Sequence, residues 1–154
     1  MKTSERGIDF IVMLEGIELK AYKCPAGVWT IGVGHTGTVD GKKIVEGMII
    51  SRDKAYELLR EDLGVAEKYI ALQPFAKNLK QCQFDALVSF VFNIGTSAFY
   101  TSTLRRKLCV GDSEESVAAE FGRWIYGTVD GKKVILKGLV RRRQMESERF
   151  LGVL

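Results

Sequence analysis

The chain is poor in the residues that build metal centres and disulfide frameworks. It has one histidine and three cysteines in 154 residues, and the cysteines show no paired metal-ligand spacing. A structural metal site therefore has no support, and no cofactor is implied. Cys24, Cys82 and Cys109 are odd in number. No secretory segment precedes them, because Asp9 interrupts the only N-terminal apolar run and Glu15 ends it. Free thiols are expected, with Cys82 and Cys109 as small buried hydrophobes on helices. Apolar runs of the ~20 residues a membrane span requires are also missing, so stable membrane insertion is not expected.

What is present is an ordinary globular balance of 46% hydrophobic and 27% charged residues, with a net charge of +4 and pI near 9.0. The length suits one domain, 1–154. A basic balance favours contact with acidic polymers. Bacterial cell walls qualify, and so do nucleic acids, which the run Arg141-Arg142-Arg143 keeps open as an alternative although no binding motif accompanies it.

The organising stretch is Phe10 to Gly37, FIVMLEGIELKAYKCPAGVWTIGVGHTG. Ile8, Ile11 and Val12 precede Glu15 at helical spacing, which puts this acid on the apolar stripe, and Gly16 stops the helix. Burial there should strip solvent from the carboxyl, as a general acid requires. The period then changes. LKAYK and VWTIGV read as strands joined by Cys-Pro-Ala-Gly, whose residues suit a type I turn. The tightest hairpin would point Cys24 and Thr30 to opposite faces, whereas a wider loop or a bulge would bring them together.

Asp40-Gly41 marks a further hairpin, giving an expected sheet of three strands, and TVDGKK recurs at Thr128 to Lys133 as a second hairpin-like loop. Ser51 caps a long helix expected over about 52–72. Lys80 to Asn93 is apolar almost all round and reads as a central helix ended by Gly95. Ser102 to Cys109 reads as a short helix. Another helix runs from Ser113 with Trp124 and Ile125 on its buried stripe, and Gly127 ends it. The last, from about Leu139 to Leu151, should bury Val140, Met145 or Phe150 and expose its charges. The fold class is α+β, mainly helical: a sheet lobe at about 16–50, a linking helix, and a helical lobe at about 75–154 on which the N-terminal helix packs.

The spacing of Glu15, Cys24 and Thr30, followed by GVGH at Gly32 to His35, resembles the catalytic stretch of the phage-type lysozymes, or endolysins. VEGMIISRDKAYELLREDL, FNIGTSAFYTSTLRRKL, the Arg123-Trp124 pair and KGLVRRRQMESERF resemble further family segments in family order, so the likeness spans nearly the whole chain. It implies a lysozyme-like two-lobed fold and hydrolysis of the β-1,4 bond between N-acetylmuramic acid and N-acetylglucosamine in peptidoglycan. By resemblance, Glu15 is the general acid and Thr30 orients the attacking water.

Cys24 stands where other members carry Asp. It is a nucleophile if Lys23 or a C-terminal arginine lowers its pKa, a polar placeholder beside the water if not, and otherwise a turn cysteine without function. Phe92 and Asn93 correspond to cleft-lining positions, and one of Arg141 to Arg143, here Arg142, meets substrate or Glu15. The family's His and Asp pair, which implies an ion pair between His35 and Asp62 that stabilises the fold most below neutral pH. The resemblance also implies a monomer made in the host cytoplasm, released by a separate pore-former such as a holin, and acting on the wall without nucleic acid. A catalytically silent wall-binding module is the rival from another class.

Overall fold

Apolar residues at positions 8, 11 and 12 close into a helix, α1 (Glu5–Glu15), in a computed structural model that describes all 154 residues. Those three side chains are buried, whereas Met13 is 57% exposed. Gly16, with φ +79°, turns the chain away and donates its N–H to Val12 O at 2.8 Å. The chain packs as two compact units, one of Ile8–Val65 and one of Met1–Gly7 with Ala66–Leu154.

In the first unit, β1 (Glu18–Lys23) and β2 (Trp29–Gly32) form an antiparallel hairpin. Its register pairs Tyr22 with Thr30 and Lys23 with Trp29, and is interrupted between Glu18 and Tyr22. Ile49 meets β1 only through an isolated bridge to Lys20, and β3 (Thr38–Val39) pairs with β4 (Lys42–Lys43) as a separate hairpin. The expected three-stranded sheet is thus two two-stranded ones. The physical reason is the Gly32-Val33-Gly34 turn. Gly32 and Gly34 both have positive φ, and Ile31 and His35 bond each other's backbone at 2.9 Å, which folds the chain back before β3 begins. Ala21, Ile31, Val39, Ile44 and Ile50 pack on Ala55 and Leu58 of α2 (Arg52–Asp62).

The helix expected over 52–72 is two helices, α2 and α3 (Gly64–Ala71), with Leu63 between them. Ser51 caps α2 through its Oγ, which accepts from Lys54 N at 3.1 Å. Gly64 is the weak point of the run, since glycine in a helix costs about 1 kcal/mol relative to alanine.

The second unit is built on α4 (Gln81–Ile94), buried continuously from Gln83 to Val91. The Gln83 side chain accepts from Lys80 N–H at 2.9 Å at its start, and Gly95 (φ +86°) ends it. Around it run α5 (Thr96–Thr101), α6 (Thr103–Val110), α7 (Glu114–Ala119) and α8 (Lys137–Phe150). Phe90 of α4 takes Phe121, Trp124 and Phe99 edge-on, at centroid distances of 4.9, 5.7 and 6.3 Å.

Three expectations fail here. The helix from Ser113 tightens to a 3₁₀ turn at Glu120–Arg123 and stops there, leaving Trp124 and Ile125 half-buried. Gly127 lies instead in β5 (Tyr126–Val129), where a Cβ would fall 2.4 Å from Leu136 Cδ1. Cys82 is half-buried and Cys109 exposed, so neither is a core residue. The hairpin of β5 with β6 (Lys132–Ile135) repeats the β3–β4 turn. In each TVDGKK copy the Asp-Gly pair (Asp40-Gly41, Asp130-Gly131) has both φ values positive, the conformation of a type I′ turn.

α8 departs furthest from its pattern. Phe150 is buried, but Val140 is exposed and Met145 half-buried, while Arg142, Arg143, Glu146 and Arg149 are buried. The expected solvated charge face is a buried ionic one. Glu146, fully buried, accepts from Ser89 Oγ at 2.8 Å, from Arg142 Nε at 3.0 Å and from Arg143. Arg149 bonds Asp85 at 2.8 Å. Ser89 and Asp85 of α4, in register with Glu146 and Arg149, allow these charges to be buried.

Candidate active site

Glu15 occupies the last turn of α1 and is exposed, which corrects the expectation that its own fold would desolvate it. The apolar stripe ends one turn earlier, at Val12, because Gly16 leaves no following turn to cover the carboxyl. It opens on a cavity of about 550 Å³ walled by Glu18, Tyr22 and the glycines Gly32 and Gly34. Wall positions without side chains let a bulky ligand approach the backbone there.

The hairpin settles the parity of Cys24 and Thr30. Gly27 N–H bonds Cys24 O at 2.8 Å, Gly27 has φ +78°, and Cys24 N–H bonds Val28 O at 2.9 Å. This makes a three-residue loop, Pro25-Ala26-Gly27, one residue wider than the tightest turn. Tyr22 then faces Thr30, and Cys24, two residues beyond Tyr22, falls on the same face. The backbone N–H of Val28, then that of Ala26, aims at the Cys24 sulfur, and the Thr30 hydroxyl adds to them. Together these outweigh a smaller opposing effect of burial and hold the thiol below its ordinary value. The cause is the turn's own amides, not a basic side chain, since Lys23 Nζ lies 5.2 Å above the Trp29 ring. Thr30 is buried and donates to Val28 O at 3.1 Å.

Tyr22 is the residue that sequence reasoning missed. It lines the Glu15 cavity and pairs with Thr30, so it joins the two groups on one hairpin face. Its signal was available in strand alternation, two residues before Cys24.

His35 sits at the end of the glycine turn with Nδ1 at 2.8 and 3.0 Å from the two Asp62 oxygens and Nε2 at 3.1 Å from Thr38 O. Both ring nitrogens face acceptors, so the ring makes both bonds when it carries two N–H groups. A Cβ on Gly37 would lie 3.0 Å from the ring, which explains the glycine of His-Thr-Gly. The pair ties the glycine turn to α2.

In the second unit Phe92 is half-buried and Asn93 exposed at the C-terminal turn of α4. Asn93 Oδ1 accepts from Arg143, which turns the amide NH₂ outward as a donor. Arg142 is buried, with Nε on Glu146 and Nη2 3.4 Å from Ser89 O. No group of three or more His, Cys, Asp or Glu side chains is placed to hold a metal ion, and no helix is long and apolar enough to cross a membrane.

The model of the family described as Phage lysozyme matches residues 12–146. The endolysin of Acyrthosiphon pisum secondary endosymbiont phage 1 is 43% identical over 150 residues, covering 97% of this chain and 98% of its own. That of Salmonella phage P22 is 48% identical over 108 residues, covering 70% of this chain and 73% of its own. Among solved structures, a mutant of P22 lysozyme superposes with a TM-score of 0.87 at 40% identity, covering 98% of this chain and 99% of that one.

Proposed function

Because this chain belongs to the phage lysozyme family, we propose that it is an endolysin that hydrolyses the β-1,4 bond between N-acetylmuramic acid and N-acetylglucosamine in bacterial peptidoglycan. The reading is carried by one observation. Within residues 8–65, the carboxyl of Glu15 opens on a cavity whose wall includes Tyr22, from the hairpin face that also bears Cys24 and Thr30.

Cleavage of a glycosidic bond needs a proton for the leaving oxygen and a group on the opposite side of the ring. Glu15 is the proton donor. The sugar that fills its cavity displaces the water around it, a service the fold itself does not perform. Cys24, with its thiol held low by turn amides, supplies the opposing group, and the Thr30 hydroxyl orients water. Attack by the Cys24 sulfur forms a glycosyl thioether as Glu15 protonates the departing oxygen; water then cleaves that bond and the anomer is retained. Attack by water held at Thr30 inverts it instead, so the anomer first formed distinguishes the two courses. Phe92 and Asn93 are the substrate-side residues of the helical unit, with Asn93 donating its amide to an acetamido or hydroxyl oxygen, whereas Arg142, buried on Glu146 and the Ser89 carbonyl, faces the interior and is withdrawn from that role.

The test is clearing of chloroform-treated Gram-negative cells, followed as turbidity. Glu15→Gln, with an unchanged circular dichroism spectrum, loses on the order of 10²–10⁴-fold in rate, as removal of a general acid requires. Absence of lysis by the unaltered protein sinks the proposal in favour of a silent wall-binding module.

A further inference from the structure

The chain carries 23 basic residues against 19 acidic ones, yet no lysine or arginine lines the cavity on which Glu15 opens. The charged side chains of that wall are Glu15 and Glu18, and its one aromatic ring is Tyr22. β1 sets Glu18 and Tyr22 on one face. Glu18 pairs with Gly32 and Tyr22 with Thr30, and these partners alternate to the same side of β2, so the two β1 side chains point the same way. Both are exposed, and no ion pair engages the Glu18 carboxylate. Lys23, beside Tyr22, turns instead over the Trp29 ring, 5.2 Å from its centroid.

The two acids have different tasks. Glu15 must hold its proton to act as general acid, so it is neutral in the reactive form, and Glu18 is the standing charge of the wall. A carboxylate beside an aromatic ring suits an ammonium group: the anion attracts its charge, and the negative face of the ring adds a cation–π contact. An N-acetylated hexosamine offers this pair only a neutral acetamide. A hexosamine that has lost its acetyl group offers an ammonium on the same carbon.

We infer that the Glu15 cavity accepts N-deacetylated hexosamine, with Glu18 and Tyr22 holding its ammonium group; the inference rests on the peptidoglycan reading above. Glu18 is then a specificity residue, acting through the charge of the sugar. Glycan that has lost acetyl groups is cleaved by this protein and does not block it.

The experiment compares two soluble substrates, glycan strands partly N-deacetylated by alkali and the same strands re-acetylated with acetic anhydride, at about pH 6, where an ordinary amine is protonated. The unaltered protein hydrolyses both. Glu18→Gln keeps the shape of the side chain and removes its charge. In this variant the ratio of kcat/KM on deacetylated strands to that on re-acetylated strands falls about fivefold, the effect of one exposed ion pair, and Glu18→Asp restores part of it. An unchanged ratio in Glu18→Gln overturns the inference, as does hydrolysis of the re-acetylated strands alone by the unaltered protein. A second measurement is independent of turnover: the β-1,4-linked tetramer of glucosamine is titrated into the unaltered protein, with β1 and β2 amides followed by NMR. Shifts at Glu18 to Tyr22 that shrink in Glu18→Gln support the ammonium site. Absent shifts, or shifts equal in the two proteins, overturn it. If neither kind of strand is hydrolysed, the proposed function fails, and the titration still decides the binding site.

Discussion

Replacing Glu146 by alanine removes one carboxylate on which Ser89, Arg142 and Arg143 converge in the interior of the helical unit. The guanidinium groups remain, both buried, in a space from which water is excluded. Breaking a buried ion pair by deleting one partner costs about 3–5 kcal/mol, because the charge left behind is no longer compensated. Loss of the Ser89 bond adds roughly 1 kcal/mol. Against a total stability of about 5–15 kcal/mol this is a large fraction, and at about 2–4 °C per kcal/mol the midpoint should fall by roughly 8–24 °C. Urea unfolding followed by circular dichroism gives the free energy, and a thermal scan gives the midpoint. Ser89→Ala, which leaves both ionic contacts, sets the scale of a single hydrogen bond. The double variant should lose less than the sum of the two singles, since the pair shares one bond. A loss below about 1 kcal/mol for Glu146→Ala would refute the reasoning, placing these contacts with exposed pairs.

Two further outcomes follow from groups whose titration is displaced. In a Cys82→Ser, Cys109→Ser background, iodoacetamide should alkylate Cys24 with a pH midpoint below the ordinary thiol value of ~8.5, because the Val28 and Ala26 amides favour the thiolate. The modified protein should lose lysis, and full activity after stoichiometric alkylation would remove Cys24 from the site. For Glu67, burial alone would push the carboxyl up, but Lys2 and the Thr3 N–H, at 2.7 and 2.8 Å, outweigh it and hold it below the usual carboxylate range. A depressed carboxyl contributes stability above its unfolded value and loses it as pH falls through the folded one. The stability gap between the unaltered chain and Glu67→Gln should therefore narrow from about pH 5 to pH 3, and a constant gap in urea titrations would contradict the assignment.

The helical framework was legible because its signals are local: Ser51 and Ser113 accept the capping bonds that their positions suggested, and Gly16 and Gly95 end their helices with positive φ. The two TVDGKK copies also declared themselves, since Asp-Gly fixes the turn without help from the rest of the chain. What stayed hidden depends on partners distant in sequence. Arginines on α8 look like a solvated face until Ser89 and Asp85 of α4 come into register with Glu146 and Arg149. Burial of Glu15 was misjudged for the converse reason, because helical spacing gives the face a residue occupies but not where the covering layer stops. The parity of Cys24 and Thr30 turned on a single residue of loop length, and only the Cys24–Val28 pairing resolves it.

The central claim is that Glu15 drives cleavage on the muramic acid side of the alternating glycan. Purified peptidoglycan digested to completion, reduced with borodeuteride and hydrolysed to its sugars reports the new reducing end directly by mass spectrometry. The account predicts deuterated muramitol from the unaltered protein and none from Glu15→Gln, and deuterated glucosaminitol as the sole new terminus would contradict it.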